Sequence, residues 1–252
     1  MKNLILMFIS SLMLATSLFG AKPTLLFYCG ITMVKPMKEI SNIIEKKYNC
    51  KIEILQGASK DLYDSLKYNK IGDLYLPGSE TYRNKNIKDG LLLDYAEIGY
   101  NQASIFVAKG NPKHISGLKD LTNEDLRVFL CDPQSGSVGK MTKRILSKYK
   151  NEDFFDLAYD NTSEIVVDSS GINTAFVERR ADIAINWKAT AYEKENKNNI
   201  DIIEIDKKYA PRKKLLINLL KFSKYPKIAK GFIEYAQSKD GQKIMHKYGF
   251  RD

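Results

Sequence analysis

Residues 24–47, TLLFYCGITMVKPMKEISNIIEKK, join an apolar β-type run to an amphipathic helical pattern through a short loop. The run TLLFY has the length and composition of a buried strand. Met37, Ile40 and Ile44 recur at the three- and four-residue spacing of one helix face. A strand that leads directly into a helix is half of a βαβ unit, so this stretch predicts an α/β fold.

The same alternation continues through the rest of the chain. Further β-type runs lie at 51–55, 73–76, 104–108, 127–131, 164–167, 181–185, 200–205 and 215–220. Amphipathic helical patterns separate most of these runs, and two more close the chain at about 227–238 and 240–248. Strands spaced by helices favour mainly parallel sheets with helices on both faces.

The number of strands predicts two lobes, each with its own mainly parallel sheet. We expect lobe one to comprise 22–103 together with 209–252, and lobe two to comprise 104–208. The chain would then cross twice between the lobes and form a two-strand hinge. A ligand is expected in the cleft between them, because interdomain clefts are common binding sites.

The first 21 residues, MKNLILMFISSLMLATSLFGA, have the layout of a secretory signal peptide: a basic start, an apolar run and small residues. The run is near the lower length limit for a membrane span and carries four hydroxyls, which favours cleavage over a membrane anchor. Cleavage after Ser17, Gly20 or Ala21 fits equally well. The sequence therefore predicts a soluble mature protein in the periplasm.

The chain carries 40 Lys+Arg against 30 Asp+Glu, a net charge of +10. This excess is compatible with nucleic acid, a membrane surface or a small anion, and export argues against nucleic acid. Two histidines and three cysteines leave no room for a zinc finger or a disulfide framework. Cys29, Cys50 and Cys131 are expected to be buried thiols, with a disulfide between two of them left open.

The sequence gives no support for catalysis, and we expect no catalytic residue, no cofactor and no bare metal ion. His114 and His246 have no recognisable triad partner. The segment GSVGKMTK fails as a phosphate loop, because Met141 stands where Ser or Thr is required and Gln134 replaces the first glycine.

Four loops of small and hydroxyl residues each follow a predicted strand and open a helix. They are CGIT (29–32), QGAS (56–59), SGSVG (135–139) and DSSG (168–171). Helix N-termini present unpaired N–H donors, glycine allows close approach, and hydroxyls add neutral donors. Any one loop is more often a simple helix cap. Two loops in each half that converge on one point would surround a dehydrated anion.

The order of these segments resembles the molybdate/tungstate-binding proteins of ABC importers, and more broadly the type II periplasmic substrate-binding proteins. The segments that carry the resemblance are 27–40, 55–82, 129–146, 176–192 and the closing SKDGQKIMHKYGF at 238–250. The resemblance implies a monomeric binding protein that passes a small oxyanion to a permease in the inner membrane. Related proteins bind phosphate, sulfate or organic anions, so the resemblance fixes the fold better than the ligand.

The resemblance also implies a ligand-binding set, namely Thr32, Ser59, Ser137, Val138, Ser170, Asn186 and Trp187. Thr32 and Ser59 would supply hydroxyls from lobe one. Val138, with Ser137 beside it, and Ser170 would lie at backbone N–H donors in lobe two.

The family's tyrosine donor after the 181–185 strand is replaced by Asn186 or Trp187, which leaves the choice of anion open. Trp187 could equally be a core or hinge anchor. Lysines close to the loops, which are Lys35, Lys60, Lys140 and Lys188, are expected to steer anions from the surface. A lysine inside the cleft would favour a carboxylate or a phosphate. Two other classes remain alternatives, an exported adhesin-like protein and an exported hydrolase on the same fold.

Overall fold

A computed structural model describes residues 22–78, 80–134 and 137–252. The predicted signal peptide, residues 1–21, lies outside the described residues. No helix within the described ranges is both long enough and apolar enough to cross a membrane.

Ten strands are described, numbered in chain order. They are β1 Thr24–Gly30, β2 Lys51–Gly57, β3 Leu74–Leu76, β4 Leu92–Asn101, β5 Ala103–Ala108, β6 Val128–Cys131, β7 Thr162–Val166, β8 Ile183–Trp187, β9 Ile200–Glu204 and β10 Lys213–Leu220.

Nine α-helices accompany them in the described ranges. They are α1 Val34–Tyr48, α2 Ser59–Asn69, α3 Glu80–Lys88, α4 Ser137–Tyr149, α5 Glu152–Asp160, α6 Ser169–Val177, α7 Lys188–Ala191, α8 Pro226–Gln237 and α9 Lys239–Lys247. Short 3-10 helices lie at Ile31–Met33 and Leu118–Thr122.

Lobe one is built on a mixed five-stranded sheet with the order β2-β1-β3-β10-β4. β1 pairs in parallel with β2 and β3, whereas β10 is antiparallel to β3 and β4. Leu25, Phe27 and Cys29 of β1 are fully buried on the face that α1, α8 and α9 cover. The Phe27 and Phe232 rings meet edge to face at 5.3 Å, which fixes α8 against the sheet.

Lobe two is built on a second mixed five-stranded sheet with the order β7-β6-β8-β5-β9. β6 is parallel to β7 and β8, and β5 is the one reversed strand. Its core holds Phe106, Leu130 and Ile183, all fully buried. The two-lobed α/β architecture predicted from the sequence is thus confirmed, with one antiparallel strand inside each sheet.

The two sheets join at the edge where their parallel strands end. Asn101, the last residue of β4, pairs with Lys213 at the start of β10, and Gln102 leads at once into β5. Ala103 already belongs to lobe two and pairs with Trp187, the last residue of β8. Both carboxyl edges therefore adjoin the same crossing between the lobes.

All three cysteines are buried free thiols. Burial, together with the nearby carboxylates of Asp168 and Asp132, raises the pKa of Cys131 to about 12. Cys131 is therefore a packed side chain at the end of β6 and not a nucleophile at neutral pH.

Candidate functional site

Thr32 and Ser59 lie at the same edge of the lobe-one sheet. Gly30 at the end of β1 pairs with Gly57 at the end of β2, and Thr32 and Ser59 each follow two residues later. Both residues are half-buried. The parallel register therefore brings together the two hydroxyls predicted for lobe one.

The Ser59 hydroxyl is uncommitted within the part of the chain that the structure describes. It opens α2 but caps nothing, because Ala58 is the N-cap residue and makes no side-chain bond. The Thr32 hydroxyl lies 3.0 Å from the sulfur of Met33, a weak acceptor. Within the described residues, therefore, Ser59 is free to donate to a ligand, whereas Thr32 would have to give up its bond to the Met33 sulfur.

Gly30 lets the loop after β3 close on this edge. A Cβ atom at Gly30 would come 2.6 Å from the Met33 methyl and 3.0 Å from the backbone nitrogen of Gly78. A Cβ at Gly78 would lie 3.6 Å from the Ser59 hydroxyl. The backbone nitrogen of Gly78 therefore lies close to Gly30, and the Ser59 hydroxyl lies close to Gly78. A larger residue at Gly30 would not fit.

The loop after β6 leads into α4, where Ser137 is exposed and Val138 is buried. Gly139 is required here, since a Cβ atom at that position would come 1.9 Å from the carbonyl oxygen of Asp132. The close approach folds the first turn of α4 back onto the end of β6. The Asp132 carboxylate in turn accepts a hydrogen bond from the backbone nitrogen of Gln134 at 2.7 Å.

In the loop after β7, a side chain of the loop itself accepts hydrogen bonds from the first backbone N–H groups of α6. The Asp168 carboxylate accepts hydrogen bonds from the backbone nitrogens of Ser170 at 2.9 Å and Gly171 at 3.1 Å. The N–H of Ser170, which the sequence resemblance assigns to the ligand, is therefore engaged by a protein carboxylate. Its hydroxyl remains on the exposed side of the turn.

Asn186 is fully buried and uses both ends of its amide inside the protein. Its oxygen accepts from the Ser169 hydroxyl at 2.6 Å and from the backbone nitrogen of Trp187 at 2.8 Å. Its nitrogen donates to the Ser169 carbonyl and to the side chain of Asn173. Asn186 therefore positions α6 against β8 and has no donor left over for a ligand.

Trp187 is 8% exposed and is the last residue of β8. It lines a small recess together with Met141 and Arg144 of α4 and Lys213 of β10. Its backbone nitrogen is bonded to Asn186, and its ring contributes to the lobe-two core. The structure thus places Trp187 where α4 meets the second crossing of the chain.

Three of the four lysines near the loops are paired with carboxylates, namely Lys35, Lys60 and Lys188. Lys35 of lobe one reaches Glu193 of lobe two at 3.0 Å, and Lys60 binds Asp64 at 2.6 Å. Lys140 is exposed on α4. The Lys35 pair joins the lobes on the outside of the first loop.

Lys188 is buried at the hinge, with its side chain only 7% exposed. Its ammonium lies 2.6 Å from Glu204, and its backbone nitrogen donates to the Gln102 carbonyl at 2.8 Å. The Gln102 side chain donates to Glu204 at 2.9 Å. Desolvation opposes the charge on Lys188, but the Glu204 carboxylate outweighs it and raises the lysine pKa overall.

A second ionic contact ties the tail of the chain to the same crossing. Arg212 is paired with Asp252, donates to the Gln102 side chain at 3.1 Å and stacks on the Tyr100 ring. The Tyr100 hydroxyl, together with the Arg212 guanidinium, lowers the pKa of Asp252 to about 2. Both crossings between the lobes are thus held by one network of charged and amide groups.

No group of three or more His, Cys, Asp or Glu side chains suitable for a metal ion occurs among the described residues. A surface cavity of about 640 Å³ lies apart from the four loops and is lined by Lys109, Tyr192, Lys197 and Lys247, among others.

The family model for bacterial extracellular solute-binding proteins matches residues 25–251. The molybdate-binding protein ModA of Mycobacterium tuberculosis is 24% identical over 195 residues, which cover 77% of this chain and 71% of that protein. Such proteins serve transport and not catalysis, which confirms the expectation that the chain is not an enzyme.

Two solved structures share the fold. The substrate-binding domain of a molybdenum ABC transporter from Clostridium difficile superposes with a TM-score of 0.78 at 20% identity, covering 92% of this chain and 99% of that one. PEB3 of Campylobacter jejuni, solved with bound L-phospholactate, has a TM-score of 0.67 at 21% identity, covering 90% and 99%.

Proposed function

Because the chain belongs to the bacterial extracellular solute-binding proteins, we propose that it captures a small oxyanion between its two lobes. The family implies a small-molecule ligand and an ABC transporter as partner. We place the protein in the periplasm after removal of the predicted signal peptide, where it delivers the anion to the permease of an ABC importer as a monomer.

The observation that carries this proposal is the placement of two hydroxyls at one sheet edge, of which Ser59 makes no hydrogen bond within the described residues. Thr32 and Ser59 follow neighbouring parallel strands, and Gly78 approaches the same point from a third strand. The start of α4, with Val138, opens onto the cleft from lobe two. An anion that takes donors from both lobes binds the closed state better and so favours closure.

The first candidate ligand is molybdate or tungstate. The sequence motifs resemble proteins that bind these anions, and the mycobacterial relative is named for molybdate. A lining that only donates hydrogen bonds suits a fully deprotonated tetrahedral dianion. A protonated anion would bring a hydrogen with no acceptor, which a donor-only site disfavours.

The second candidate is a small organic anion with a phosphate or carboxylate group. The Asp168 carboxylate occupies the N-terminus of α6, so one of the four expected anion-binding loops already holds a negative charge. Fewer donors then remain in lobe two for a compact tetrahedral anion. Arg144 and Lys213 beside Trp187 would instead suit a ligand that extends toward the hinge.

A thermal-shift panel on protein stripped of endogenous anion by partial unfolding and refolding tests the proposal. We expect molybdate or tungstate to raise the melting temperature, because a ligand that binds only the native state stabilises it. A shift with phosphate, sulfate or an organic carboxylate, and none with molybdate or tungstate, would reject the first candidate and retain the binding function. No shift with any anion would reject both candidates.

A further inference from the structure

The inner face of α3 is polar, unlike that of the other helices that pack on the lobe-one sheet. Arg83 and Asn86, one turn apart, are its buried residues at 9% and 0% exposure. Beneath them lie Tyr75 of β3 and Asn218 of β10, both fully buried. A helix held by an arginine and an asparagine gains little hydrophobic stabilisation, so this polar layer calls for another explanation.

Arg83 is a buried cation without a carboxylate partner among the described residues. Its Nε donates to the Asn218 side chain at 2.9 Å, and its guanidinium stacks on the Tyr95 ring at 4.3 Å. Neither terminal nitrogen has an acceptor within those residues. Buried charges are normally paired, and a guanidinium fork matches a carboxylate or a phosphate with two parallel hydrogen bonds.

Arg83 lines a recess with Pro77, Glu80, Lys214 and Leu216. Two carboxylates face this region: Glu80 lines the recess, and Glu97 binds Lys214 at 2.9 Å. Lys214 and Glu97 pair with each other, so the charges that remain in the recess are the Arg83 guanidinium and the Glu80 carboxylate, which are not paired with each other.

Lys213 contributes a further cation from the neighbouring position on β10. Partial desolvation lowers the Lys213 pKa, and the Arg144 guanidinium of lobe two lowers it further, whereas Glu80 opposes the shift. Cations from both lobes thus crowd together near the hinge with too few protein anions to balance them.

The recess opens at the same sheet edge as the Thr32 and Ser59 hydroxyls. β10 pairs Asn218 with Tyr75 and then runs past the end of β3, so Leu216 and Lys214 lie beyond Leu76. β10 is two strands away from β1 in the sheet order, a separation of about 10 Å at the usual strand spacing. A bare tetrahedral anion cannot reach both places, whereas an extended organic anion can.

We propose that the Arg83 recess is a second anion-binding subsite of the cleft, which takes the carboxylate of an organic acid whose phosphate lies on the Thr32 and Ser59 loops. This inference rests on the proposed function and argues for its second candidate.

Calorimetric titration with a matched pair of probes tests the proposal. Fructose 6-phosphate carries a phosphate alone, and 6-phosphogluconate adds a carboxylate at the far end of a six-carbon chain. We expect the wild-type chain to bind 6-phosphogluconate about ten-fold more tightly, the worth of one charge-assisted pair. Arg83→Gln should abolish that preference and leave the affinity for fructose 6-phosphate within about two-fold.

Two further variants test the subsite in case Arg83→Gln does not fold. Arg83→Lys keeps the charge and loses the fork, and Lys213→Gln alters a residue outside the polar layer. Each should reduce the preference for 6-phosphogluconate by about three-fold. Arg179→Gln removes an exposed arginine at the far end of α6 and should behave as wild type.

The outcomes separate this inference from the proposed function. Equal affinities of the wild-type chain for the two probes, or a preference that survives Arg83→Gln and Arg83→Lys, would overturn the subsite. Failure to bind either probe would also overturn it. A molybdate titration of the wild-type chain, run alongside, shows separately whether the proposed oxyanion site binds an anion.

Discussion

The Ser169 hydroxyl donates a hydrogen bond to the side-chain oxygen of Asn186 at 2.6 Å. This contact joins the first residue of α6 to the end of β8. Because Asn186 also binds Asn173 of α6, one buried amide holds two positions of that helix against β8. Asn186 acts through these neighbours and does not present a donor of its own.

Replacing Asn186 by alanine should lower the free energy of unfolding by about 2 kcal/mol, since the half-buried Ser169 hydroxyl loses its acceptor and the Asn173 side-chain oxygen keeps only Thr190 as a donor. Denaturant titration followed by fluorescence measures the change. Asn199→Ala is the matched control, because the Asn199 amide makes an exposed contact with the Glu195 carbonyl. Equal stability of the two variants would contradict the structural role assigned to Asn186.

Gly139→Ala should destabilise lobe two and displace the start of α4. The added methyl would lie 1.9 Å from the Asp132 carbonyl oxygen, a clash with backbone that no side-chain movement can relieve. We expect a loss of about 2 kcal/mol and weaker anion binding. Gly117→Ala, where nothing lies within 4 Å of the new methyl, is the control. If Gly139→Ala is as stable as this control, the Asp132 carbonyl oxygen does not pack tightly against Gly139.

Asp182 is a buried carboxylate whose protonation should cost stability. Its side chain is 6% exposed and accepts from Arg127 at both oxygens. The Arg127 side chain lowers the Asp182 pKa, so the contribution is complete above the unfolded value of about 4 and is lost as the pH falls below it.

Asp182→Asn should therefore reduce the free energy of unfolding at neutral pH by about 2 kcal/mol and flatten its dependence on acid pH. The exposed Asp240, paired with Lys243, provides the control Asp240→Asn. An unchanged acid profile in Asp182→Asn would refute this assignment.

Ser59→Ala tests the site without disturbing the fold. The Ser59 hydroxyl makes no bond within the described chain, so its removal should leave the melting temperature of the anion-free protein unchanged. Oxyanion affinity should fall about ten-fold for the loss of one hydrogen bond to a charged ligand. Ser147→Ala on the exposed side of α4 is the matched control and should bind as wild type. Full affinity in Ser59→Ala, measured by calorimetry, would exclude this hydroxyl from the site.

Most of the fold could be predicted from the sequence, because nearly every buried strand is a short apolar run followed by an amphipathic helix. β4 was not predicted: its sequence, LLDYAEIGYN, mixes buried and exposed residues without a clean alternation. α3 was also missed, because its buried residues are Arg83 and Asn86 and it has no apolar stripe. β4 takes its place by pairing with β10, whereas α3 packs mainly on α2 and is bonded to β10 through Arg83 and Asn218.

The candidate site was predicted less completely. The hydroxyl positions follow from parallel register, which the strand–loop–helix pattern already indicates. The roles of Asp168 and Asn186 do not, since a loop of the type DSSG can cap its own helix or bind an anion. The aspartate before the serines was the available signal for the first alternative. The Arg83 recess had no signal, as it depends on residues far apart in sequence.

A crystal structure of the anion-free protein soaked or grown with tungstate tests the central claim most directly, because tungsten marks its own position by anomalous scattering. We predict one strong peak in the cleft, within hydrogen-bonding distance of the Thr32 and Ser59 hydroxyls and facing the start of α4 at Val138. Tungstate absent from the cleft, or bound only at the lysine-lined surface cavity near Tyr192, would contradict it.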